Sequence, residues 1–385
     1  MLGSAARGTR MVAVWIAVIL ASAVIAATAR SSGRVSERVH TATTTTSTTL
    51  ARLGIAPATS PATSTTVAIV APTTAVATTA PATTTTTRPV AGVGPIGVDS
   101  QPDLSLPAPA PTPTTPPPGG WMTDRYAGLG TWVDVYDWTE AYGGGQISTA
   151  DIDQMAAYGV QTLYIQPVRW DVDTDLMETD RLLPLLNRAH ADGLRIVAWY
   201  LPDLQDIDRD FRHLSAIANQ LPIDGLAIDI ESRSVQDVNL RNAQLLALSD
   251  RLRQTYPGYA LGAIVLPPVV LDQINPNYWP DYPWAGLAQD YNIWLPMAYF
   301  TFRTGSWRDA NAYTAANVSG VRSHLGQPNA LVATIGGIGD QTTVDDVNGM
   351  AAACQAQSCY GGSVYDYRTT QDPNVWASLR QAFAR

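Results

Sequence analysis

A (β/α)8 barrel over residues 121–385 is predicted by three features of the sequence: eight short apolar β-prone runs, helical patterns alternating with them, and a span of roughly 265 residues, close to the about 250 that such a barrel needs. The first run is Gly128–Tyr136 (GLGTWVDVY), followed by a helix opened at Ser148 or Thr149 with Asp151 and Asp153 in its first turn. The second, Thr162–Pro167 (TLYIQP), leads to a helix over Arg181–Ala191 that Gly193 ends. The third, Arg195–Leu201, precedes a helix over Asp208–Asn219. The fourth, Asp224–Glu231 (DGLAIDIE), feeds a long helix from about Val235 to Tyr256, which stops before Pro257 and Gly258. The fifth, Ala260–Leu266, is closed by two prolines and followed by an aromatic-rich connection, Leu271–Asp290. The sixth, Asn292–Tyr299 (NIWLPMAY), precedes a helix over Arg308–Leu325. The seventh, Leu331–Ile338, precedes Thr343–Ala356, and the eighth, Gly362–Tyr367 (GSVYDY), precedes Asn374–Ala384. The count implies eight strands and eight helices.

The first third of the chain is different. Residues 1–30 form a signal peptide or signal-anchor: Arg7 and Arg10 precede an apolar run over 11–29, with an A-x-A-like cleavage site at Ala27 and Ala29. Nineteen residues suffice to cross a membrane, and arginines on both sides leave its retention open. Residues 31–120 read as a disordered Thr/Pro/Ala-rich stalk, because tracts such as TTTTSTT and PAPAPTPTTPPPGG cannot bury enough surface to offset ordering entropy. The barrel is thus expected outside the cell or at its surface, with membrane contact only through an uncleaved N-terminal segment. There Cys354 and Cys359, spaced C-x4-C, could pair.

Composition excludes several classes of function. The net charge is −9, and every one of the 24 basic residues is an arginine standing alone, so no basic stripe offers a nucleic-acid surface. The four histidines are dispersed and the two cysteines are too few for zinc, so no metal is assigned. No cofactor is implied either: GGIGD near Gly336 falls short of a dinucleotide fingerprint, and there is no G-x-S-x-G elbow. The N-x-S at Asn317 matches a glycosylation acceptor. A monomer is expected.

The chemistry concentrates in the fourth run. On a strand, Ala227, Asp229 and Glu231 share one face, and same-face neighbours lie about 7 Å apart, close enough for two carboxyl groups to couple and flank one bond. The same acids also suit a cap on the following helix or a pairing with Arg233. Barrel geometry favours a site, since chemistry collects at the C-terminal ends of the strands. The rule nominates Asp134 or Asp137, Gln166 and Arg169, Trp199 or Tyr200, Met297 and Tyr299, and Tyr365 or Asp366 as neighbours. Acids, amides, hydroxyls and aromatic planes together suit a sugar, whereas Trp132, Trp199 and Trp294 taken singly suit barrel filling.

The DGLAIDIE stretch resembles the strand-four signature D-G-x-D-x-D-x-E of glycoside hydrolase family 18, the chitinase-like barrels, with Ala227 in place of one acid. LPMAYF is similar to that family's M-x-Y-D element at Met297 and Tyr299, with Phe300 replacing its Asp, and GGSVYDY is similar to its closing strand without the usual Trp. The resemblance implies Glu231 as general acid, Asp229 orienting a substrate acetamido group that acts as nucleophile, and Tyr299 hydrogen-bonding it. Asp134, Gln166, Trp199, Met297 and Asp366 are the expected substrate contacts, and a carbohydrate polymer the expected partner. DVYDW and LAIDIE are also similar to the family 25 lysozyme barrels, which implies a cell-wall polysaccharide. The departures at Ala227 and Phe300 leave a second expectation, a barrel that binds carbohydrate without turnover.

Overall fold

The computed structural model describes residues 121–384; the expectations for residues 1–120 lie outside the described residues. Eight parallel strands close a barrel in sequence order: β1 Gly128–Val133, β2 Thr162–Ile165, β3 Arg195–Tyr200, β4 Gly225–Ile230, β5 Leu261–Val265, β6 Ile293–Pro296, β7 Leu331–Ile338 and β8 Gly361–Tyr365. Most strand residues are fully buried, because a parallel barrel is covered outside by helices and filled inside by side chains. Seven helices surround it: α1 Thr149–Ala157, α2 Thr179–Ala191, α3 Ile207–Gln220, α4 Val238–Thr255, α5 Ala310–Leu325, α6 Val344–Gln357 and α7 Pro373–Phe383. Local chemistry starts them. Ser148 with Asp151 and Thr343 with Asp346 form capping boxes, while Asp237 and Asp309 accept from backbone N–H groups three residues on.

The eighth helix is absent among the described residues. After β5 the chain makes a π-helical turn, Val270–Ile274, and one α turn, Trp284–Leu287. Prolines at 276, 280 and 283 interrupt a helical hydrogen-bond ladder there. Trp279, Tyr282 and Trp284 instead turn inward in a chain of ring contacts that reaches Trp294 on β6. No described helix is long and apolar enough to cross a membrane.

The barrel floor is aromatic. The Tyr126 hydroxyl donates to the carbonyls of Leu226 (2.8 Å) and Ala260 (2.9 Å). Its ring occupies space made by residues lacking side-chain bulk: a Cβ added at Gly225 or Gly262 would lie 3.1 or 2.8 Å from Tyr126, and Ala227 stands beside Gly262 in the β4–β5 register. Above it Trp132 stacks on Tyr164 at 4.2 Å and meets the edge of Trp199 at 6.0 Å, with its Nε1 donating to Ser363 Oγ. Ala227 therefore belongs to the packing around Tyr126. Restoring an acid there by Ala227→Asp would bury an unpaired carboxylate in this aromatic layer and cost about 3 to 5 kcal/mol. Urea unfolding is expected to show that loss with no gain in activity; an unchanged midpoint would contradict this role for Ala227.

Cys354 and Cys359 are disulfide-bonded, tying the end of α6 to the chain entering β8. Asn317 is fully buried in α5, accepting from Val269 N–H and donating to the Tyr313 carbonyl. Folded into these bonds, it is closed to glycosylation.

Candidate active site

β4 delivers its acids to the C-terminal rim of the barrel. Asp229 is buried near the strand end, and Glu231 follows just beyond Ile230, half-buried. Neither acid caps α4, whose N-cap is Asp237, and Arg233 stacks on the Tyr278 ring at 4.6 Å rather than pairing with them. The first acid of the stretch has a structural task instead: the Asp224 carboxylate accepts from Ile196 N–H and bonds His190.

Burial without a compensating cation sets the protonation of the pair. It pushes the Glu231 carboxyl up to about 7. Asp229 is held well above the ordinary carboxylate range, first by burial and then by the charge of Glu231. Its Oδ1 is buried with no hydrogen-bond partner among the described residues. Two such groups titrate as one unit.

β6 places Met297 and Tyr299 on the same pocket as Glu231. The Tyr299 hydroxyl is raised well above its usual value by burial, and by the charges of Glu231, Asp229 and Asp366. It therefore stands between two sets of acids. Phe300 turns away from them and is fully buried, its ring against the bare backbone of β7: a Cβ at Gly336 or Gly337 would lie 3.1 or 2.6 Å from it. The residue that replaces the family's acid is thus a core residue.

The second set of acids comes from β1 and β8. Carboxylate oxygens of Asp134, Asp137 and Asp366 lie within 4.8 Å of one another, all three residues buried. Asp134 accepts from the Tyr365 hydroxyl at 2.6 Å and from Tyr136 N–H at 2.8 Å, Asp366 accepts from Thr369 N–H at 2.9 Å, and Arg368 lies 3.9 Å from Asp137. Burial, then the charge of Asp134, pushes Asp366 up to about 7. These oxygens are of the kind a hard cation accepts, and at least one oxygen of each acid is already reached by a protein donor. Tyr365 packs against Tyr299 at 6.1 Å, so two tyrosines connect the acid sets.

The remaining expected contacts sit apart from the pocket. Gln166 is buried, its Oε1 accepting from Val135 N–H and its carbonyl from Trp138 Nε1. Arg169 pairs with Asp171 at 2.8 Å and stacks over Tyr136 and Tyr142. Trp199 lies in the filling layer, in register with Ala227, and Tyr200 donates to Asp210.

Sequence reasoning missed the wall opposite Glu231. Leu266, Pro267, Val270, Ile274, Asn275 and Tyr278 line it from the connection after β5, and Arg303 from the turn after β6. The space is small, about 30 Å³, and open on one side. The connection narrows the mouth without sealing it, since Glu231 remains partly exposed.

No family model and no curated protein matches the chain. Among solved structures, it is similar to a family 18 chitinase from Cycas revoluta in complex with (GlcNAc)3, at 12% identity and a TM-score of 0.50, over 66% of this chain and 99% of that one. It is similar to a class V chitinase from Pseudomonas fluorescens Pf-5 at 10% identity, TM-score 0.50, over 66% and 99%. The likeness shows the fold, a (β/α)8 barrel.

Proposed function

We propose that the chain is an exported glycoside hydrolase acting on a polysaccharide that contains acetamido sugars, of the cell-wall or chitin type. The observation that carries this reading is Glu231, beside Asp229 at the end of β4, lining one pocket with Tyr299 and pushed up to about 7. A carboxyl that keeps its proton near neutral pH can donate it to the glycosidic oxygen as the bond breaks. Asp229 has a buried oxygen free to accept from an acetamido N–H, which would hold the acetamido carbonyl against the anomeric carbon. Tyr299 supplies a hydroxyl donor to that carbonyl. Positive charge developing on the sugar ring is stabilised by the Glu231 carboxylate that forms as its proton passes to the leaving oxygen. The ligand class matches the (GlcNAc)3 bound to the Cycas revoluta chitinase, and the disulfide suits an oxidising compartment.

The test is release of reducing ends by the full chain from chitin oligomers and from peptide-free cell-wall glycan. Hydrolysis of either is expected. Binding of both without hydrolysis would make the protein a carbohydrate-binding barrel and remove Glu231 from any mechanism.

A further inference from the structure

Arg303 is the one arginine lining the pocket of Glu231 and Tyr299. It is only 8% exposed, forms no ion pair among the described residues, and leaves its Nε buried without a hydrogen-bond partner. Its guanidinium lies over the Tyr313 ring, 5.4 Å from the ring centroid, and within reach of the Tyr313 hydroxyl, a neutral group that supplies no counter-charge. Most other arginines of the barrel have a use: Arg209 pairs with Asp203, Arg308 with Asp346, and Arg253 donates to the Asp290 carbonyl. Nor is Glu231 its partner, because no cation offsets the effect of burial on that acid. A buried guanidinium without an anion is costly, and the deficit is removed when a ligand brings one. The planar donor fork of arginine fits a carboxylate in particular.

The pocket's size narrows what could enter. About 30 Å³ does not admit a sugar ring, but it admits the carboxylate end of a substituent while the ring lies across the mouth. Leu266, Val270 and Ile274 supply an apolar wall beside the guanidinium.

We propose that Arg303 binds a carboxylate carried by a saccharide unit next to the scissile bond, so that the substrate is an acidic glycan rather than a neutral one. The inference rests on the hydrolase reading for the position of the sugar. Two sources share this chemistry, the lactyl ether of a muramic-type sugar and the C6 carboxyl of a uronic acid. The lactyl group, with a methyl beside its carboxylate, uses the apolar wall as well.

Binding of four tetrasaccharides to the full chain carrying Glu231→Gln, which removes turnover, tests this by calorimetry: alternating N-acetylglucosamine and N-acetylmuramic acid, the same compound with its carboxyls reduced to alcohols, alternating N-acetylglucosamine and glucuronic acid, and chitotetraose. Roughly 10- to 100-fold tighter binding of an acidic compound than of the neutral ones is expected, the size of one charged hydrogen-bonded contact. Which acidic compound is preferred identifies the source. Adding Arg303→Gln should erase the preference, while Arg303→Lys should retain part of it; thermal melts identify any variant that fails to fold. Equal binding of acidic and neutral compounds, or a preference that survives Arg303→Gln, overturns the assignment to Arg303 alone. Failure to bind any of the four overturns the hydrolase reading along with it.

Discussion

Glu231→Gln should lower turnover of a susceptible acetamido polymer by about a thousandfold, within the range a positioned general acid contributes. The substitution keeps the shape of the side chain and removes only its transferable proton. Stability should not fall with activity. Glu231 is half-buried without a cation beside it, so a neutral amide relieves an unfavourable charge at pH 8 and raises the melting temperature. Loss of activity with a gain in stability marks a functional carboxyl; loss of both would mark a structural one. Activity within twofold of wild type would take Glu231 out of the chemistry.

Folding stability should drop as pH rises from about 5 to 8. Glu231 and Asp366 are pushed up to about 7, and Asp210 to about 6, whereas unfolded carboxyls titrate near 4. Between those limits the folded protein holds protons that the unfolded chain has released, so stability is fully present below about 4 and is lost as pH rises through about 7. A group displaced by two to three units contributes roughly 3 to 4 kcal/mol to the loss, so even one such group is visible in urea titrations. Midpoints at pH 5 and pH 8 measure it, and Glu231→Gln should reduce the difference. Activity should fall on the alkaline side with an apparent midpoint near 7, as Glu231 loses its proton. Equal urea midpoints at the two pH values would mean that these acids titrate normally in the fold.

The strands were legible because each is a short apolar run and the turns between them carry glycine, proline or a helix cap. The acid pair was legible for a related reason: alternation along β4 puts Asp229 and Glu231 on one face whatever surrounds them. The connection after β5 was not. Its proline and aromatic residues announce an irregular segment, but which rings turn inward depends on Trp294 and Arg241 at distant positions. Tyr126 illustrates the same limit. It bonds carbonyls 100 and 134 residues away, and that long-range packing explains Ala227, which the sequence shows only as a departure from a pattern. Arg303 had no local signal among 24 arginines; only the closed barrel shows that this one faces the pocket with no ion pair among the described residues.

A general acid at Glu231 has to keep its proton at neutral pH. The chain has four glutamates, Glu37, Glu140, Glu178 and Glu231, so protein labelled with ¹³C at the glutamate side-chain carboxyl gives four resonances. The Glu231→Gln spectrum assigns the one that matters. An apparent midpoint near 7 for that resonance is the predicted result; a midpoint near the ordinary 4 to 5 would leave Glu231 ionised at neutral pH and contradict its role as general acid.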